Sequence, residues 1–173
     1  MKLGILTSIV GNYNFEQVLD MTSEFGLECM EVACWPQGEG ERRYAGVCHI
    51  DCENFTDEEA HTIINKCEEK KIFISALGFY ANLMDENLEK RKENIQHFMK
   101  VIDVSAKLNI NMVTGFLGRM QHKTLEENLK AVKEIWTPII HYAESKKVRI
   151  AIENCPMLFT QDEWPGRKNI MTS

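Results

Sequence analysis

No apolar run in this sequence approaches the roughly 20 residues that a membrane-spanning helix needs. The opening "MKLGILTSIVGN" lacks the basic-then-apolar layout of a signal peptide, because Gly11–Asn12 interrupts the apolar stretch. No CxxC pair occurs, and the six cysteines, at 29, 34, 48, 52, 67 and 155, are scattered. Cys48 and Cys52 lie four apart without a Cys/His set to complete a zinc site, so reduced structural thiols are expected. Basic charge is short as well: 20 Lys and Arg against 26 Asp and Glu leave a formal net charge of −6. That balance disfavours a dedicated nucleic-acid binder, whose affinity rests on a basic face. The first apolar run is followed by a single glycine in "LTSIVGNYN" rather than by GxGxxG, which disfavours a dinucleotide-binding fold. The expectation is a cytoplasmic protein with neither a membrane nor a nucleic-acid partner.

What is present is a repeating pattern. Hydrophobic residues make up 44% and charged residues 27% of 173 residues, enough for one ordinary domain with its own core. Short apolar runs at 3–7, 29–34, 72–79, 111–116 and 148–153 read as strands. Between them lie helical periodicities opened by capping pairs: Asn14-x-x-Gln17, Thr56-x-x-Glu59 and Thr124-x-x-Glu127. Another helix runs from Leu88, with Ile95, Phe98, Met99, Ile102 and Ala106 on one face. Gly26 closes the first helix, and Pro138 is a candidate kink in the last. The last helix is expected to bury Leu125, Leu129, Val132, Trp136, Ile139 and Ala143. Strict alternation of strand and helix, with near-continuous apolar strands, means parallel strands covered by helices. The architecture is then an open doubly wound sheet or a (β/α)8 barrel, and in either one function sits at the C-terminal strand ends.

Those ends are Thr7–Ser8, Cys34–Trp35, Gly78–Tyr80, Gly115–Gly118 and Glu153–Asn154. Glu153, in "RIAIENCP", is a carboxylate at the tip of an apolar strand, costly there unless paired or bound to a cation. It reads as a metal ligand, as a general base, or as a structural ion pair with a group such as Arg149. His49 and Asp51, two apart in "VCHIDCENF", share a side, and His49 reads as a ligand or a substrate contact. Trp35, Phe79, Tyr80 and Phe116 fall at strand ends, where aromatic faces suit the apolar side of a sugar or polyol. The Asn82 amide suits a hydroxyl, or a turn. Glu31, inside the second strand, is expected to make a buried ion pair. His61, His97, His122 and His141 show no partner set and are read as structural. "GEGERR" (38–43) reads as a solvated surface loop, and Cys155 lacks a histidine placed to activate it.

In this order, "MKLGILTSI", "FGLECMEVACW", "VCHID", "KKIFISALGFYANLMD", "VRIAIENCPM" and "EWPGRKNIMTS" resemble the sugar phosphate isomerase/epimerase superfamily, the xylose isomerase-like TIM barrels. The resemblance runs over the whole chain. It implies an α/β fold of (β/α)8 TIM-barrel type, present here as a single domain (1–173) of about five parallel strands. It also implies a metal-dependent sugar or polyol isomerase or epimerase, or an inosose dehydratase-like lyase, that abstracts a proton next to a carbonyl. Glu153 becomes the catalytic carboxylate and the first ligand of a divalent metal ion, Mn, Mg, Co or Zn. His49, Trp35, Tyr80, Asn82 and Phe116 become substrate contacts. Many members carry a His where this chain has Phe79–Tyr80, a departure that weakens a nuclease-like reading. The family's remaining ligands would lie beyond Ser173. The expectations are therefore a fragment inactive alone within a longer isomerase, or a homo-oligomer in which another chain supplies the missing half. The alternative function is a noncatalytic truncated barrel acting through assembly or ligand binding.

Overall fold

Three helices begin where a side chain and a backbone amide cap one another. In the computed structural model, which describes residues 1–38 and 45–153, Asn14 accepts from the Gln17 amide and Gln17 accepts from the Asn14 amide, both at 2.9 Å. Thr56 with Glu59 and Thr124 with Glu127 repeat this reciprocal pair. Asn87 caps the remaining helix by accepting from the Glu89 and Lys90 amides at 3.0 and 3.1 Å. Each cap satisfies amides that the first helical turn leaves without partners. The charged loop at 39–44 and everything from Asn154 onward, with Cys155 and "EWPGRKNIMTS", lie outside the described residues.

The elements follow in strict alternation: β1 (Gly4–Leu6), α1 (Phe15–Glu24), β2 (Cys29–Ala33), α2 (Asp57–Lys70), β3 (Phe73–Gly78), α3 (Leu88–Lys107), β4 (Met112–Gly115), α4 (Leu125–Ser145) and β5 (Arg149–Ile152). A short 3-10 turn, Thr7–Val10, follows β1 and ends that strand sooner than its apolar run suggests. Gly26, at φ +67°, turns the chain out of α1 as expected. α4 runs unbroken through Pro138. All strands are parallel and their spatial order is the chain order, β1-β2-β3-β4-β5. This is the arrangement of a partial TIM barrel.

The pleat then sorts the side chains. Val32, Leu77 and Val113 are paired in register across β2, β3 and β4, and all three are fully buried in the main core. Phe98, Val101 and Ile102 of α3 and Trp136 and Ile139 of α4 belong to the same core, with the Phe98 and Trp136 rings 6.0 Å apart edge to face. Neighbouring residues on each strand face the other way. That second face carries Leu6, Glu31, Ala33, Ala76, Gly78, Thr114, Ala151 and Glu153 (the concave side of the sheet), with Tyr80 and Phe116 just beyond the strand ends. Register shifts between Met30 and Glu31, where β3 carries the extra residue Ser75. The Ser75 hydroxyl donates to the Met30 carbonyl at 3.0 Å, so the irregularity leaves that group paired.

Three expectations about the core need correction. Leu125 and Leu129 are exposed, because the inward place at the start of α4 belongs to Asn128. Its amide accepts from the Met120 N–H at 2.8 Å and donates to the Met120 carbonyl at 3.0 Å, closing the β4–α4 loop. Phe79 lies in the helix-side core against Phe98, not at the mouth, since it alternates with Gly78 and Tyr80. His97 does have partners: its Nε2–H donates to the Cys34 carbonyl at 2.7 Å, its Nδ1 lies 3.7 Å from Glu53, and its ring stands edge-on to Phe79.

Removing the Phe98 ring leaves a cavity against Phe79 and Trp136, so Phe98→Ala should lower stability by about 3–5 kcal/mol. Removing only the α4 cap, in Thr124→Ala, should cost about 1 kcal/mol. Urea unfolding of both variants checks the pair; similar losses for the two would contradict this placement of the core.

Candidate functional site

Glu31 reaches across the concave face. Its Oε1 accepts a 2.6 Å hydrogen bond from the Thr114 hydroxyl of β4 and a second from the Tyr80 phenol just past β3. The carboxyl passes over Gly78, where a Cβ would stand 2.9 Å from Oε1 and 3.2 Å from the Thr114 oxygen. Only glycine leaves that path open. Among the described residues the ion pair expected for Glu31 is not formed: its partners there are hydroxyls, which neutralise nothing but order the carboxylate. Burial, and after it the negative charge of Glu31, push the Tyr80 phenol well above its ordinary pKa, so it stays a donor.

Glu153 follows β5 on the same face, its N–H bonded to the Gly115 carbonyl at 2.9 Å. The residue as a whole remains exposed, yet its carboxyl is partly withdrawn from water. That withdrawal, and next the charge of Glu31, raise its pKa. The expected alternative of an ion pair with Arg149 does not occur. The two residues flank opposite ends of β5, and among the described residues neither makes a salt bridge.

An aromatic wall stands beside these carboxylates. Trp35 and Tyr80 lie 5.8 Å apart at 32°, and Tyr80 and Phe116 lie 4.9 Å apart at 58°. Tyr80 and Phe116 pack with Leu6 as a second cluster, and Trp35 joins it to the main core through Phe79. The structure therefore gathers four of the sequence-expected residues, Glu153, Trp35, Tyr80 and Phe116, and adds Glu31, Thr114 and Gly78. Thr114 was readable as the one polar residue inside the apolar run "NMVTGF", on the same strand face as Phe116. Gly78 had no signal beyond its place in "SALG".

His49 and Asn82 sit differently. His49 is buried, and its Nδ1 lies 2.9 Å from the Thr7 hydroxyl, which also accepts from the Ala33 N–H at 2.8 Å. A hydroxyl oxygen has two acceptor sites as well as its proton, so either tautomer of the neutral imidazole satisfies this bond. The other ring nitrogen, Nε2, has no well-formed hydrogen bond among the described residues, although the Tyr13 and Val10 carbonyls face the ring. His49 and Asp51 together line a cleft of about 360 Å³ against the start of α2. Asn82 is also buried. Its amide oxygen accepts from the Met84 and Arg119 N–H groups, and its amide nitrogen donates to the Arg119 carbonyl at 2.9 Å, tying the β3–α3 loop to the β4–α4 loop. Among the described residues no three His, Cys, Asp or Glu side chains converge to hold a metal ion. The described cysteines are free, with burial pushing the Cys48 thiol up to about 12 and the Cys67 thiol up to about 11.

Comparison with known proteins adds to this geometry. The family profile described as "Xylose isomerase-like TIM barrel" matches residues 19–168. Among curated proteins none matches this sequence. Among solved structures, a D-psicose 3-epimerase in the presence of D-fructose superposes with a TM-score of 0.62 at 18% identity, over 88% of this chain and 52% of its own. A D-psicose 3-epimerase with D-tagatose from Clostridium cellulolyticum H10 gives 0.65 at 15% identity, over 94% and 54%. The IolI protein with a bound zinc atom gives 0.64 at 17% identity, over 88% and 51%. At these identities the likeness is one of fold. The chain spans about half the length of each of these structures.

Burial lowers the His49 pKa below its ordinary 6.5. The unfolded chain thus gains a proton at His49 before the folded one does as pH falls. This contribution is present above pH 6.5 and is lost as pH drops through 6.5 toward the folded pKa, with a slope of at most about 1.4 kcal/mol per pH unit. Urea midpoints measured from about pH 8 down to about pH 5 should fall further for the wild type than for His49→Gln; parallel curves would contradict the burial of a neutral His49.

Proposed function

The chain belongs to the xylose isomerase-like TIM-barrel family, and from that premise we propose that the whole protein is a sugar or polyol isomerase or epimerase that moves a proton next to a carbonyl. The observation that carries this reading is Glu153, at the strand tip beside Glu31 and the Trp35–Tyr80–Phe116 wall. The aromatic faces would take the C–H side of a sugar, and the clamped carboxylate side would take hydroxyls. A carboxylate at the strand tip, partly withdrawn from water, suits the role of accepting a proton from carbon and returning it.

In this reading Glu153 is also the first ligand of a divalent metal ion. Its partly desolvated carboxyl, destabilised by Glu31, fits a cation. The described residues offer no complete coordination sphere, so any further ligands come from elsewhere in the protein. A metal ion bound there would act as a Lewis acid toward negative charge developing on the substrate. The chain's own part is to present the base, hold the phenol of Tyr80 protonated and wall the site with aromatic rings. Among the described residues no helix is long and apolar enough to cross a membrane. A cytoplasmic setting is part of the proposal.

The test uses the intact protein, stripped with a chelator and reloaded in turn with Mn, Mg, Co or Zn. D-Fructose, D-tagatose and D-psicose are incubated with it in D2O, and deuterium uptake at the carbon next to the carbonyl is followed by NMR. Exchange should occur with at least one metal, and Glu153→Gln should slow it by about 10²–10⁴-fold while lowering metal content. Wild-type protein that exchanges no ketose, or Glu153→Gln protein with unchanged exchange and metal content, would sink the reading.

A further inference from the structure

Glu31 has no task in the proton transfer just described, yet the fold makes room for it at three places. The register shift at Ser75 lies directly below it, a backbone irregularity in an otherwise regular parallel sheet. Gly78 gives up its side chain so that the carboxyl can lie across β3. Thr114 and Tyr80 then both donate to a single oxygen, Oε1. A carboxylate has about four lone-pair sites, and these two donors fill those of one oxygen. The other, Oε2, accepts from no described residue, and no described Lys or Arg pairs with the charge.

We infer that Glu31 is a specificity residue whose Oε2 accepts a hydroxyl of the sugar or polyol at a carbon away from the one that loses the proton; this rests on the isomerase reading above. Tyr80 explains why this oxygen and the aromatic wall belong to one binding surface. Its hydroxyl locks Oε1, and its ring lies between Trp35 and Phe116. A polyol chain offers an apolar C–H side and a hydroxyl side at once, and this surface offers a partner for each. A hydroxyl suits Oε2 better than a second anion, because it donates to the charge. The energetic weight is that of a hydrogen bond to a charged group, so losing it costs about tenfold to a hundredfold in affinity.

The experiment measures kcat and KM of the intact, metal-loaded protein for D-fructose, D-tagatose, D-psicose and their monodeoxy analogues. In Glu31→Gln, which keeps the shape but replaces the charged acceptor, KM for the ketose should rise about tenfold to a hundredfold. For one monodeoxy analogue, the one that lacks the hydroxyl being read, wild type and variant should have the same KM. Gly78→Ala should raise KM in the same way, because its Cβ displaces the carboxylate without removing the charge, and it carries the test alone if Glu31→Gln fails to fold. An unchanged KM, or a penalty equal for the parent sugar and every monodeoxy analogue, would mean that Glu31 merely braces Tyr80 and Thr114, and the assignment falls. Wild-type protein that neither binds nor turns over any ketose removes the isomerase reading and this inference with it. Wild-type turnover with indifferent variants removes only this inference.

Discussion

The row Val32–Leu77–Val113, wholly buried in the helix-side core, is the constraint on which the rest depends. A parallel strand alternates its side chains between two faces. Once these three are committed to the helices, their neighbours Glu31, Gly78 and Thr114 can only face the concave side. The burial is hydrophobic and non-directional, but its consequence is directional: it delivers a carboxylate, a gap and a hydroxyl to one surface, in register. Tyr80, Phe116 and Glu153 follow on the same face because they continue the same alternation one or two residues past their strands.

The mouth is then organised by electrostatics more than by packing. The charge of Glu31 acts on Glu153 without a described cation between them, and with burial it raises the Glu153 pKa. The protein orders one with neutral donors and leaves the other exposed. This division separates a fixed acceptor from a carboxyl with a raised pKa. Two carboxylates in one site thus acquire different characters from their surroundings alone. Tyr80 couples the halves, since its raised pKa keeps it a donor toward Glu31 while its ring completes the aromatic wall.

Around this site the buried polar residues hold loops. Asn82 joins the loop after β3 to the loop after β4, Asn128 folds the latter onto α4, and the Thr7–His49 bond links the end of β1 to the segment leading into α2. His97 reaches the carbonyl of Cys34 at the end of β2. These amides and rings sit where backbone groups would otherwise be buried without partners. Their effect is to set the strand-end loops as a rigid rim, so the aromatic and acidic side chains keep their mutual geometry.

Much of the fold was legible because it rests on local rules. The capping pairs at Asn14, Thr56 and Thr124 are four-residue signals, and each opens a helix where expected. The apolar runs marked every strand, to within a residue or two at the ends. The candidate site was half legible: position at a strand end located Glu153, Trp35, Tyr80 and Phe116. Asn82, His49 and His97 were harder, because the spacing of a polar residue is the same whether it faces a ligand or pins a neighbouring loop. Leu125 and Leu129 misled for a similar reason, since helical periodicity does not say which of two adjacent stripes a buried Asn128 will occupy.

By itself, the sequence determined the alternation of strands and helices, and with it the parallel sheet and the end of the sheet where chemistry belongs, because periodicity and capping act over a few residues. Only the tertiary structure decided that Glu31 crosses Gly78 to meet Thr114 and Tyr80. Those contacts join residues up to 83 positions apart, and they depend on strand order, register and one extra residue at Ser75, none of which leaves a local trace in the chain.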